Sequence, residues 1–152
     1  MKKLSRGFTL IELLVVIGIL AILLAITLIA INPARQFGQA KNTQRRSDVL
    51  QILNAVHQYV AETQGNLPAE VLGLTADTVT VFNKTNFPSL CGQLMPNYIP
   101  ALPTDPSLTA TNITDCTVAA WDTGYSISRD AQNRVTVSAT TTDNAAVITV
   151  TR

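Results

Sequence analysis

The constraint that dominates this sequence is an almost unbroken apolar run from Leu13 to Ile31, with a single carboxylate, Glu12, at its head. About 20 apolar residues in helical form cross the hydrocarbon of a bilayer, so the run is long enough to span one. It is apolar all round rather than along one stripe, as a helix buried in lipid has to be. A charged group at mid-bilayer costs roughly 2.5–3.5 kcal/mol on insertion scales, so Glu12 calls for a partner. An ordinary secretory signal fits poorly, because its apolar core is about 7–15 residues and a small-residue cleavage site follows. Here the run is longer, carries a carboxylate and reaches Asn32-Pro33 without an A-x-A exit. A plain single-pass anchor accounts for the length but leaves Glu12 unexplained.

Upstream, Lys2, Lys3 and Arg6 form a short basic stretch ending in Gly7, and residues 7 to 12 read Gly-Phe-Thr-Leu-Ile-Glu. This combination resembles the class III signal of the type IV pilin family, which includes the type II secretion pseudopilins. The resemblance implies a prepilin leader at 1–7, cleavage between Gly7 and Phe8 by a prepilin peptidase, and N-methylation of the new Phe8 amine. It makes Glu12 an assembly residue, since a mature amine and a carboxylate neutralise each other between adjacent subunits. The implied partners are further copies of the chain in a helical homopolymer, related minor pilins, the assembly platform of a secretion or pilus machine, and the membrane. The implied location is the cytoplasmic (inner) membrane with the N-terminus inside, then a periplasmic or extracellular filament. Charge alone does not orient the span: Lys2, Lys3 and Arg6 precede it, and Arg35, Lys41, Arg45 and Arg46 follow.

The rest of the chain sets an expectation of fold class α+β. Residues 8 to about 64 read as one long helix, transmembrane over 8–31 and an amphipathic continuation over 32–64. At about 1.5 Å per residue it would be about 85 Å long and would have to protrude. Its outer part carries an apolar stripe, Val49, Ile52, Leu53, Val56, Tyr59 and Val60, at spacings of three and four. Gly18 weakens the helix and Pro33 favours a kink at the membrane exit; Gly65, with Pro68 beyond it, marks the stop. Residues 65–152 read as a small globular domain covering that stripe. A short strand is expected over 78–82. The proline-rich stretch 87–106 reads as an ordered loop with little regular structure. Three strands over 125–129, 134–140 and 146–151 form an antiparallel meander, with turns at 130–133 and 142–144. Tyr125, Ile127, Val135, Val137, Val147 and Thr149 would share its buried face, in a register that a one-residue slip would exchange. The wording Tyr98-Ile99-Pro100-Ala101-Leu102-Pro103-Thr104-Asp105-Pro106, with Thr123-Gly124-Tyr125-Ser126-Ile127 later, resembles the major-pseudopilin branch.

Composition bounds the chemistry. The 152 residues, 47% of them apolar, suffice for one modest domain plus a membrane segment. Without Lys2, Lys3 and Arg6, 8 basic side chains stand against 10 acidic ones, so the mature product is near −2. No specific nucleic-acid partner is expected. Arg35, Lys41, Arg45 and Arg46 read as a solvated collar outside the membrane rather than a contact to DNA phosphates, having no interleaved aromatics. Cys91 and Cys116 are expected to form one disulfide if their domain is exported; the alternative is two unpaired thiols. His57 stands alone beside the apolar stripe, and two cysteines with one histidine at these spacings make no zinc site. Asp105, Asp115 and Asp122 read as solvated loop carboxylates rather than a calcium site, lacking a D-x-D-x-D run. No G-x-S-x-G, P-loop or H-E-x-x-H motif occurs, so neither an enzyme nor a cofactor is expected. The sequence leaves open a type II secretion pseudopilin, a type IV pilus subunit, a DNA-uptake pilin-like protein, and a membrane-anchored binding module that never polymerises.

Overall fold

The computed structural model describes residues 7–109 and 111–152, so the basic leader residues Lys2, Lys3 and Arg6 lie outside it. The chain divides between Phe37 and Gly38 into two compact units.

The first unit is built on α1 (Leu10–Ile31), a helix long and apolar enough to cross a membrane and without a buried residue in it. Gly18 does not interrupt it. The helix ends at Asn32, which takes the left-handed conformation with φ 48°. The next residue, Pro33, opens α2 (Pro33–Glu62). Proline clashes with a helical residue before it, and asparagine is among the few non-glycine residues that tolerate the left-handed region. At the first position of α2 the missing proline N–H costs nothing. Asn32 also starts α2: its carbonyl accepts from the Arg35 and Gln36 N–H groups, and its Oδ1 accepts from Arg35 N–H at 3.3 Å. The expected kink is thus a complete break at Asn32.

In the second unit a four-stranded antiparallel sheet runs in the order β1 (Thr80–Asn83), β2 (Asp122–Arg129), β3 (Val135–Ala139), β4 (Thr149–Thr151). It covers the apolar face of α2, where Val49, Ile52, Leu53 and Val56 are fully buried and Tyr59 and Val60 pack at the margin. From the sheet come Phe82, Tyr125, Ile127, Val135 and Val137. Phe87 and Trp121 meet Phe82 edge-on at 5.5 and 5.4 Å, a geometry that adds about 0.5–1.5 kcal/mol per pair beyond burial. Along the chain between α2 and β1 comes the short helix α3 (Ala69–Leu72), whose Val71 joins the core.

Four expectations need correcting. The last strand turns its other face inward: Val147 is 84% exposed and Thr149 is exposed, while Ile148 is buried. Val137 pairs with Val150, which fixes the parity of β4. The stretch 87–106 contains a helix, α4 (Leu90–Leu94). Its N-terminus is capped from outside, by the two carboxylate oxygens of Glu70 accepting from Ser89 N–H and Leu90 N–H at 2.9 Å each. The first strand begins at Thr80 rather than residue 78. Finally, α2 stops at Glu62, Gln64 takes the left-handed turn (φ 58°), and Gly65 N–H closes the end on the Val60 carbonyl at 2.8 Å.

Candidate functional site

Thr9 is the N-cap of α1 and Glu12 its third residue, and together they close a capping box. Thr9 Oγ1 accepts from Glu12 N–H at 3.3 Å. Glu12 Oε2 accepts from Thr9 N–H at 2.8 Å and from the Thr9 hydroxyl at 2.7 Å. Two orphan donors of the helix start are thereby satisfied within the chain. This role went unread in the sequence, although Thr9-Leu10-Ile11-Glu12 is the T-x-x-E pattern that announces it. Gly7 and Phe8 precede the cap in exposed, non-helical backbone. The Gly7–Phe8 peptide therefore lies outside the helical ladder. Phe8, 84% exposed, lines an open apolar depression with Ile11, Glu12, Val15 and Val16.

The basic group splits. Arg46 is exposed and Lys41 half-buried, but Arg45 is fully buried, which overturns its place in a solvated collar. Its guanidinium takes Asp105 bidentately, Nε to Oδ2 at 2.7 Å and Nη2 to Oδ1 at 3.1 Å. Nη1 donates to Asp143 Oδ2 at 2.7 Å and to Asn42 Oδ1 at 2.8 Å, and Nη2 to Ser107 Oγ at 2.6 Å. The fork geometry is one that arginine alone supplies. Asp105 holds the Arg45 pKa above its ordinary value, outweighing burial, and Asp143 adds to it. Burial is the largest influence on Asp105 and works to raise it, yet Arg45 and the Ser107 N–H together hold it below the usual carboxylate range. The loop carrying Asp143 is pinned by Asn42, whose Nδ2 donates to the Asp143 carbonyl at 2.6 Å while Oδ1 accepts from its N–H at 3.1 Å. Gly38 permits this approach, since a Cβ there would stand 2.8 Å from Asn144 Nδ2 and 2.9 Å from Asp143 Cβ.

One turn on, buried Asp48 accepts from Gln44 Nε2 and from the Tyr125 hydroxyl, both at 2.7 Å. Burial, then the Asp48 carboxylate, push the Tyr125 phenol well above its ordinary pKa. His57 is half-buried at the edge of the stripe, its pKa lowered by burial and by the charge of Arg152.

The three loop aspartates are not brought together. Asp105 is buried on Arg45 and not solvated as expected, Asp115 accepts from Thr117 N–H and its hydroxyl at 2.7 Å each, and Asp122 accepts from Gly124 N–H at 2.8 Å. Among the described residues no group of three or more His, Cys, Asp or Glu side chains is placed to hold a metal ion. Cys91 and Cys116 are bonded, with Cα atoms 5.6 Å apart, tying α4 to the loop ahead of β2. Lys84 Nζ braces the same loop by donating to the Cys116 carbonyl at 2.6 Å.

Residues 2–28 match the family described as the Prokaryotic N-terminal methylation motif, the type IV pilin-like prepilin signal. Comparison with curated proteins and with solved structures gave no match.

Proposed function

We propose that this chain, which carries a prepilin-type methylation motif over residues 2–28, is a structural filament subunit rather than an enzyme. The motif carries the reading, supported by the α1 surface, which has no partner within the described chain. In this reading α1 holds the precursor in the cytoplasmic membrane, N-terminus inside, and the prepilin peptidase cuts the exposed Gly7–Phe8 peptide. Leaving lipid for protein exchanges one apolar environment for another, so an assembly platform drives the subunit into the filament, where α1 forms the core. Head-to-tail contacts of that kind do not close, and they give fibres. Cleavage also changes the surroundings of Glu12. It creates an ammonium at Phe8, next to the Thr9 cap, so the carboxylate that closes the capping box gains a cation in its own chain and in each neighbour displaced along the axis.

Among filaments of this type we favour a type II secretion pseudopilus or a type IV pilus, with the Tyr98-to-Pro106 wording supporting the pseudopilus. Gly7→Val tests the reading. It should leave a membrane-inserted precursor that still carries residues 1–7 and yields no sheared filaments. Filaments built from uncleaved Gly7→Val chains would overturn it.

A further inference from the structure

The two edges of the sheet differ. At β1 the Asn86 Nδ2 caps the Val81 carbonyl at 2.9 Å and the ladder is irregular between Val81 and Asn83. Both devices blunt pairing with a foreign strand. At β4 neither is present. Val135 and Arg152 exchange N–H to carbonyl bonds at 3.0 Å each, and Ala139 N–H donates to the Ile148 carbonyl at 3.0 Å. Bonded and non-bonded pairs alternate along an antiparallel ladder, so Ile148, Val150 and Arg152 turn their backbone groups toward β3. Val147, Thr149 and Thr151 turn theirs outward, and no bond from the described residues outside the ladder reaches them. All three are exposed. The segment Val147-Ile148-Thr149-Val150-Thr151 is β-branched throughout, with no charge, glycine or proline. Such a composition favours strand pairing.

We propose that the open edge of β4 docks a second copy of the chain, β4 against β4, antiparallel, joining two sheets across a two-fold axis. Two identical edges are self-complementary in this arrangement, since each outward N–H meets an outward carbonyl. A register centred on Thr149 pairs Thr149 with itself and Val147 with Thr151, whereas centring on Ile148 sets Thr151 against Ala145, which lies in a left-handed turn with φ 53°. In the Thr149 register Arg152 faces Ala146 of the other copy, so like charges do not meet. The contact is isologous and is therefore separate from the head-to-tail contacts of a filament. It does not depend on the filament reading.

The test uses the full-length chain in membranes, where Cys91 and Cys116 are bonded to each other and an added cysteine is the one free thiol among the described residues. Across a hydrogen-bonded pair the Cα atoms lie about 5.5 Å apart, within reach of a short bis-maleimide. Thr149→Cys should therefore cross-link to a dimer. Val147→Cys alone should not, because its two copies would be offset by four residues, about 13 Å. Copies with Val147→Cys mixed with copies with Thr151→Cys should cross-link. Adding Thr149→Pro removes the outward N–H while sparing the β3 ladder, and should abolish the mixed product with protease resistance of the chain retained. Monomeric Thr149→Cys, cross-linking of Val147→Cys to itself as efficiently as Thr149→Cys, or a Thr149→Cys adduct to a different protein would each overturn the proposal. So would a Thr149→Pro variant that is protease-resistant and still gives the mixed product.

Discussion

Two demands meet on Glu12: its side chain closes the start of α1 on Thr9, and its charge stands at the head of an apolar helix. Substitutions separate them. Glu12→Gln keeps a residue that closes a capping box but removes the charge, whereas Glu12→Leu removes both. Membrane insertion and cleavage should survive either change. If pairing with the processed amine sets the register of assembly, both variants should lose filament yield to a similar, large degree. Sheared-filament yield at normal cleavage is the measurement, and a Gln variant that assembles like the parent would leave Glu12 a capping residue only. Arg45 poses the opposite problem, since nothing in its neighbourhood, with Lys41 and Arg46 either side, marks it as buried. Its partners Asp105 and Asp143 lie 60 and 98 residues away, beyond any periodicity argument. Arg45→Met strands the Asp105 carboxylate without its cation and should cost about 3–5 kcal/mol, as breaking a buried pair does. Asp143, with its side chain 38% exposed, is the lesser partner. Acid acts the same way. The Asp105 pKa is depressed in the folded chain, so its contribution is present above the unfolded value of about 3.9 and is lost as pH falls through the lower folded one. Thermal melts of the chain should fall steeply below about pH 4, and Asp105→Asn, itself less stable at neutral pH, should flatten that limb.

Among the elements, α2 and the meander were legible because burial leaves a period. The three-four spacing of Val49, Ile52, Leu53 and Val56 is the core face of α2 as observed, and Tyr125, Ile127, Val135 and Val137 alternate into the same core. The last strand defeated the same rule for a physical reason. Val147 to Thr151 is β-branched on both faces, so composition does not distinguish inside from outside, and only the Val137–Val150 pairing decides. α4 was hidden for another reason: its N-cap residue, Ser89, makes no side-chain cap bond, and the helix start is held instead by the Glu70 carboxylate, from an element about 20 residues earlier. The disulfide staples α4 to the loop ahead of β2, closing a span of 25 residues. Its removal by Cys91→Ser with Cys116→Ser should cost about 3–4 kcal/mol on the chain-entropy estimate, read as a lowered denaturation midpoint. An unchanged midpoint would mean that the core around Phe82 and Trp121 orders this loop unaided.

At the scale of the molecule, the two units have different physical tasks. The first presents apolar surface that nothing among the described residues covers; the second buries a core of its own and is held by a bidentate ion pair and a disulfide. A chain of this kind is complete only when something else covers α1, lipid first and then, in the proposed filament, other copies. The membrane-length run was readable from sequence; the start of the second unit at Gly38, inside α2, was not. The Arg45 network, which governs how the second unit closes on Gly38, needed the structure, whereas the capping box that sets where α1 starts was written in Thr9-Leu10-Ile11-Glu12. The most direct test of the central claim is mass spectrometry of the N-terminal peptide from sheared filaments of the unaltered chain. The expected result is a peptide beginning at Phe8 and heavier by one methyl group on its amine. Filaments whose subunits retain residues 1–7, or a processed chain that never leaves the membrane fraction, would contradict it.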